Sequence, residues 1–197
     1  MMGLKMINHQ HKFLFIHIPR TGGSSIESQF NYDEEIERNK HWTLHDWKKT
    51  LDPDVFDEYF KFTFVRNPWD LTISKYKCDW FTSKRPGGPI GEKEGKSLKY
   101  FLEHYERPAH ENGETFHDYF DPEQINFVGR FENRENDLQY ISQKIGVNID
   151  SKIHQRKIQM RNKNKKHYTE YYDDETREIV AEKYAKDIEY FGYKFGE

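Results

Sequence analysis

Residues 13–30 read FLFIHIPRTGGSSIESQF, and the fold follows from this stretch. Phe13-Leu14-Phe15-Ile16-His17-Ile18 is a nearly continuous apolar run closed by Pro19. A half-exposed strand alternates apolar and polar residues, whereas a strand buried on both faces of a parallel sheet reads as an unbroken run. Pro19-Arg20-Thr21-Gly22-Gly23-Ser24-Ser25 then forms a tight turn, and beyond it Ile26 and Phe30 share one face of a helix. A buried strand, a glycine turn and a helix in succession make the first unit of an α/β architecture.

Working outward, a second run, Lys61-Phe62-Thr63-Phe64-Val65-Arg66, stops at Asn67-Pro68, because proline drives the residue before it out of helical geometry. Trp69, Ile73, Tyr76 and Trp80 then mark an amphipathic helix. Residues 85–96 are rich in Gly, Pro and charge and read as a loop; Ser97 caps a helix carrying Leu98, Phe101, Leu102 and Tyr105. Phe127-Val128 gives a short third strand, and Leu138, Ile141 and Ile145 a helix stopped by Gly146. A last helix opens near Asp173–Asp174, turns Val180, Tyr184, Ile188 and Phe191 inward and ends at Gly192. Strands alternating with helices predict a three-layer α/β/α fold with a central parallel sheet, as one domain over residues 1–197.

Composition sets the boundaries of function. The chain is 33% charged and 35% hydrophobic, with 15 Phe, 13 Tyr and 4 Trp, so its core rests on aromatic rings. A net charge of -3 announces neither nucleic acid nor an anionic membrane as partner. One segment stands apart: residues 151–169 contain no acid but carry Lys152, Arg156, Lys157, Arg161, Lys163, Lys165 and Lys166. Cys78 is the only cysteine, which excludes an intrachain disulfide and a cysteine-rich zinc site. No run reaches the ~20 apolar residues of a membrane span. The first twenty residues lack a secretory pattern, so a cytoplasmic protein is expected.

The turn at residues 19–25 suits an anion. Gly22 and Gly23 let the backbone approach a ligand, Thr21, Ser24 and Ser25 carry hydroxyls, and Arg20 adds a fixed charge. A nucleoside triphosphatase would need GxxxxGK[ST] and an Asp at a strand end to hold magnesium. The complete pattern is absent, and the second strand ends in Arg66 instead. Arg66, with Ser74 on the following helix, makes a second candidate anion clamp. Both lie at carboxyl ends of strands, where open α/β sheets bind ligands.

Taken together, FLFIHIPRTGGSSIE and FTFVRNPWDLTISKY resemble the two donor-binding signatures of sulfotransferases that use 3'-phosphoadenosine-5'-phosphosulfate (PAPS). The likeness is to the family-2 type, which includes Golgi carbohydrate sulfotransferases and soluble bacterial relatives. VGRFENRENDLQYISQKIG and YYDDETREIVAEKYAKDIEYFGYKF fit as well, so the resemblance spans most of residues 13–195 in order. It implies a P-loop-NTPase-like sulfotransferase fold with donor elements at 13–30, 61–80 and 126–132 and acceptor-side loops at 80–125. It assigns Arg20, Thr21, Gly22, Gly23, Ser24 and Ser25 to the 5'-phosphosulfate, and Arg66 and Ser74 to the 3'-phosphate. Arg130 becomes a further donor-side residue. Many relatives carry Lys at the place of Arg20; an arginine stays protonated, so stabilising charge is its role here. The family's pattern before the C-terminal region is altered to KIHQRKIQMRN, and the late glycine-rich motif of the small-molecule branch is missing.

Transfer to a hydroxyl needs a base, and histidine suits neutral pH. His41-Trp42-Thr43 resembles the family's His-x-Thr segment, which makes His41 the candidate base, with His45 second and His17 structural. Helix entry with Thr43 as cap is the competing account of His41, and core packing that of the tryptophans. The expected reaction moves a sulfuryl group from PAPS to an acceptor hydroxyl, on an oligosaccharide or polysaccharide, without metal. A catalytically silent nucleotide-binding module and an ATP-dependent phosphotransferase are the alternatives.

Overall fold

The computed structural model describes residues 6–30, 40–78, 90–105, 113–150 and 166–197. Along the chain run β1 (Ile7–Asn8), β2 (Phe13–Ile16), α1 (Ser24–Glu27), α2 (Leu44–Thr50), α3 (Pro53–Glu58) and β3 (Phe60–Val65). There follow α4 (Pro68–Tyr76), α5 (Leu98–His104), α6 (Phe116–Tyr119), β4 (Phe127–Arg130), α7 (Arg134–Ile145), α8 (Asp174–Lys183) and α9 (Ala185–Phe191). They fall into two compact units, Met1–Val65 with His110–Lys163, and Arg66–Ala109 with Asn164–Glu197.

The first unit holds a four-stranded sheet in the order β1-β2-β3-β4. β2 runs parallel to β3 and β3 to β4, with Phe13 opposite Phe60 and Phe62 opposite Phe127. The class is therefore α/β with a mostly parallel sheet, as the alternation of strands and helices predicts. β1 adds an antiparallel edge strand, pairing Ile7 with Leu14; two residues are too few to leave a periodic signal. Phe13, Leu14, Phe15 and Ile16 are all buried, and the Phe62 ring lies 5.7 Å from Phe13 and 5.0 Å from Phe15. This aromatic seam makes β2 and β3 rigid, so their carboxyl ends are fixed points for whatever follows them.

Lys61 is the one charge within β3. Its Nζ donates to the carbonyls of Phe56 (2.7 Å) and Tyr59 (3.0 Å) and lies 4.9 Å from the Phe56 ring centre. The ammonium thus satisfies carbonyls left open at the end of α3. α2 opens on a capping box: the Asp46 N–H donates to Thr43 Oγ1 (3.1 Å) and the Thr43 N–H to Asp46 Oδ2 (2.8 Å). α7 buries Leu138, Ile141 and Ile145 as expected and ends at Gly146, whose φ of 66° is left-handed.

In the second unit Asn67 caps α4, its Oδ1 accepting from the Trp69 N–H at 3.1 Å, with Pro68 in the first turn. Trp69, Ile73 and Tyr76 are buried, while Trp80 lies outside the described residues. The Trp69 indole donates to the Arg177 carbonyl (3.0 Å) and packs edge-on to Phe195, which Tyr168 and Tyr172 also meet edge-on. Ser97 caps α5, accepting from the Tyr100 N–H. Gly95-Lys96-Ser97 matches the last three letters of the triphosphatase pattern. Here Gly95 (φ 71°) closes a 3-10 turn and Ser97 caps a helix, so the triplet is a helix entry.

The single C-terminal helix expected from the pattern is two. Tyr184 leaves helical geometry (φ -104°, ψ 22°) between α8 and α9. The break re-aims the second piece, so Asp187 and Phe191, four apart, are buried while Ile188 is half-exposed. Among the described residues no helix is long and apolar enough to cross a membrane.

Gly129 lies where β4 meets Phe64, and a Cβ there would sit 2.5 Å from the Phe64 ring. Gly129→Ala should therefore destabilise by about 1–3 kcal/mol through overpacking, read as a lower urea midpoint at unchanged slope.

Candidate functional site

The turn after β2 is built around His17. This buried imidazole occupies the space a side chain on Gly23 would take: a Cβ at Gly23 would lie 2.1 Å from His17 Cδ2 and 2.3 Å from Nε2. Only glycine fits. Gly22 (φ 91°) and Arg20 (φ 67°) both take left-handed backbone, so the chain reverses within a few residues. His17 Nδ1 forms an ion pair with Glu27 of α1, and Lys40 Nζ reaches the other carboxylate oxygen at 3.0 Å. Burial alone would raise the Glu27 pKa. The hydrogen bond and charge of His17, with Lys40, outweigh burial and hold it at about 2.

The hydroxyls expected to meet an anion divide. Thr21 is buried and donates to the Ile18 carbonyl (2.8 Å); Ser25 donates to the Gly22 carbonyl (2.9 Å). Both brace the turn from inside, and Ser24 is the exposed one. The N–H groups of Ser25, Ile26 and Glu27 point back to carbonyls of Gly22 and Gly23. Those of Gly22, Gly23 and Ser24 have no acceptor among the described residues. Successive N–H groups on alternating backbone hands are the geometry of a backbone nest, and the exposed Arg20 stands at its start.

His41 belongs to the same cluster. Its Nδ1 lies 3.1 Å from the His17 carbonyl, and the two rings are 4.8 Å apart. A carbonyl can only accept, so Nδ1 carries the hydrogen and the neutral ring has its lone pair on Nε2. Burial first, then repulsion from His17 and Lys40, lowers the His41 pKa to about 3. At neutral pH it is an uncharged imidazole in the tautomer a general base needs. Thr43 does cap α2, so His41 stands at a helix entry.

Arg134, which the pattern left unremarked, joins the turn from α7. It is 6% exposed, its Nη2 donates to Ser25 Oγ (2.9 Å), and Nε and Nη1 are buried without a hydrogen-bond partner. Its guanidinium and the Phe131 ring crowd Gly22 from this side: a Cβ there would lie 3.2 Å from Arg134 Nε and from two Phe131 ring carbons. The sequence did hold a signal. Arg134 extends the buried stripe of Leu138, Ile141 and Ile145 by one helical step, and a charge on a buried stripe is unusual. Arg130, at the exposed end of β4, gives its backbone N–H to Asp137 Oδ2 at 2.6 Å.

In the second unit Arg66 is buried and paired: Nε and Nη2 lie 2.8 and 2.7 Å from Asp70 Oδ2. This ion pair ties the arginine to the helix that follows it, four residues on. Ser74 is half-buried in the second turn of α4. Elsewhere in the first unit, His45 is exposed and lines a cleft of about 280 Å³ with Leu44, Lys48, His117 and Tyr119. Of the basic stretch, residues 151–165 lie outside the described residues, as do 79–89 and 106–112 of the acceptor-side loops.

The profile described as "Sulfotransferase family" matches residues 5–194. Neither the curated proteins nor the solved structures include one similar enough to serve as a relative.

The lowered pKa of His41 makes stability depend on pH in a defined window. Between the ordinary value of 6.5 and about 3 the unfolded chain takes a proton that the folded one refuses, so stability falls as pH drops through that range. Glu27 adds a loss of the same sign from 4.5 to about 2. His41→Gln should flatten the fall between pH 6.5 and 4.5 by up to about one proton's slope, read from urea titrations at stepped pH.

Proposed function

We propose, because the chain belongs to the sulfotransferase family, that residues 1–197 act as one catalytic domain transferring a sulfuryl group from PAPS to an acceptor hydroxyl. The family membership covers the transfer itself; donor and acceptor are our reading. The observation that carries it is the turn at residues 20–25, where open N–H groups and Arg20 stand beside a histidine in the base tautomer. The fit to a phosphosulfate is physical: a cradle closed to any side chain at Gly23, and a buried arginine with nitrogens to spare.

In this reading His41 Nε2 takes the acceptor's hydroxyl proton as its oxygen forms the new bond to sulfur. The bond from sulfur to the 5'-phosphate oxygen breaks in line, and the turn's N–H groups with Arg20 stabilise the charge left on that phosphate. Arg66 and Ser74 are assigned to the 3'-phosphate by resemblance. The Asp70 carboxylate fixes the Arg66 guanidinium and offsets part of its charge, so any anion bound there relies on hydrogen-bond geometry more than on net attraction. Arg130, exposed at the end of β4, is proposed on the donor side.

A carbohydrate hydroxyl is the proposed acceptor, by family likeness, and a cytoplasmic setting the proposed location. Aromatic and basic residues of the polar segments suit an anionic glycan.

His41→Ala should abolish sulfation of an oligosaccharide pool by radiolabelled donor while the 3',5'-bisphosphate product still binds by calorimetry; unchanged turnover removes His41 from the mechanism. Arg66→Ala should raise the donor KM by about tenfold or more with a smaller effect on kcat; an unaltered KM removes the clamp.

A further inference from the structure

Arg134 presents an electrostatic imbalance that the fold does not resolve. A buried guanidinium is ordinarily matched by a carboxylate, because an unpaired charge away from water is costly. Among the described residues none pairs with Arg134. Its single hydrogen bond goes to the neutral Ser25 hydroxyl, and Nε and Nη1 have no acceptor. Burial holds its pKa down to about 10, so it remains charged at neutral pH.

Its place in the helix adds to the imbalance. Arg134 is the first residue of α7, a helix of twelve residues, and the amino end of a helix is the end where a cation is disfavoured. Acids do occupy this turn, at Glu135 and Asp137, but both are more exposed than Arg134. Asp137 is engaged elsewhere, accepting from the Arg130 N–H and from Asn133 Nδ2. The Glu27 carboxylate of α1 is already held by His17 and Lys40. What the guanidinium does touch is the anion turn, at Gly22 and Ser25.

We infer that Arg134 is a fixed countercharge of the turn: its guanidinium, braced against Gly22 and Ser25, is neutralised when the phosphosulfate end of the nucleotide donor binds. This rests on the donor reading given above and deepens it. Arg20 offers an exposed charge at the rim of the turn; Arg134 offers a desolvated one from beneath, whose attraction water screens far less. The cost of keeping an uncompensated charge in the ligand-free protein is recovered as affinity, because an arriving anion removes it.

The test uses the full chain with Arg134→Met, Arg134→Gln and Arg134→Lys, titrated calorimetrically with adenosine 3',5'-bisphosphate and separately with inorganic pyrophosphate. Each variant is first shown to be folded by circular dichroism. The Met and Gln variants should bind the bisphosphate about 10- to 100-fold more weakly, with Lys between them and the wild type. The ligand-free Met variant should melt no lower than the wild type, because an apolar side chain replaces an unpaired buried charge. A merely structural arginine predicts the reverse, a lower melting point with affinity kept. Affinity within twofold of wild type in any folded variant lacking the charge overturns the inference and leaves the donor reading standing. If the wild type binds pyrophosphate but not the nucleotide, the donor reading falls and the pyrophosphate arm judges Arg134. If the wild type binds neither, both fall.

Discussion

The imidazole of His17 lies where a side chain on the second turn glycine would otherwise go, and its Nδ1 is tied to Glu27. That contact joins the end of β2 to α1 and sets the path of the backbone between them. The rest of the site hangs from it. The left-handed residues at 20 and 22 turn the chain back on itself, the His17 carbonyl fixes the tautomer of His41, and Lys40 is drawn in by the same carboxylate. A histidine just past the end of an apolar strand thus has a structural task. It is the post on which the turn is mounted.

Charge in the described site is arranged unevenly, and the unevenness has chemical consequences. Glu27 is ionised and fully engaged, and His41 is neutral. Arg134 beneath the turn is balanced by nothing among the described residues. A site of this kind favours anions without a bound cation, because the positive field is already in place and water has been removed from part of it. It also keeps a proton acceptor beside a positive field, since repulsion and burial oppose protonation of His41 in the ligand-free state. In the proposed mechanism an anion arriving at the turn would weaken that repulsion and make His41 a stronger base.

The fold was legible where local rules coincide with burial. The nearly continuous apolar run at residues 13–18 and the run at residues 61–66 marked strands, Asn67-Pro68 marked a strand end and a helix start, and Gly146 and Gly192 marked helix ends. These are features one residue and its neighbours can enforce. The pattern misread the last helix because apolar spacing does not register a break: Tyr184 leaves the helix without a proline or glycine to announce it, and Asp187 takes the buried place expected of Ile188. The two-residue β1 was silent for want of length.

The candidate site divides along the same line. The sequence by itself determined that a glycine turn follows a buried strand, that Arg20 stands in it, that His41 precedes a helix capped by Thr43, and which family these motifs resemble. Those facts are local and written in residue order. Only the tertiary structure decided that Gly23 is required by His17, that Thr21 and Ser25 brace the turn from within, that His41 carries its hydrogen on Nδ1 against the His17 carbonyl, and that Arg134 reaches the turn from a helix over one hundred positions away. The physical reason is that a hydrogen bond or an uncompensated charge is a property of two groups brought together, and chain folding, unlike local pattern, is what chooses the second group.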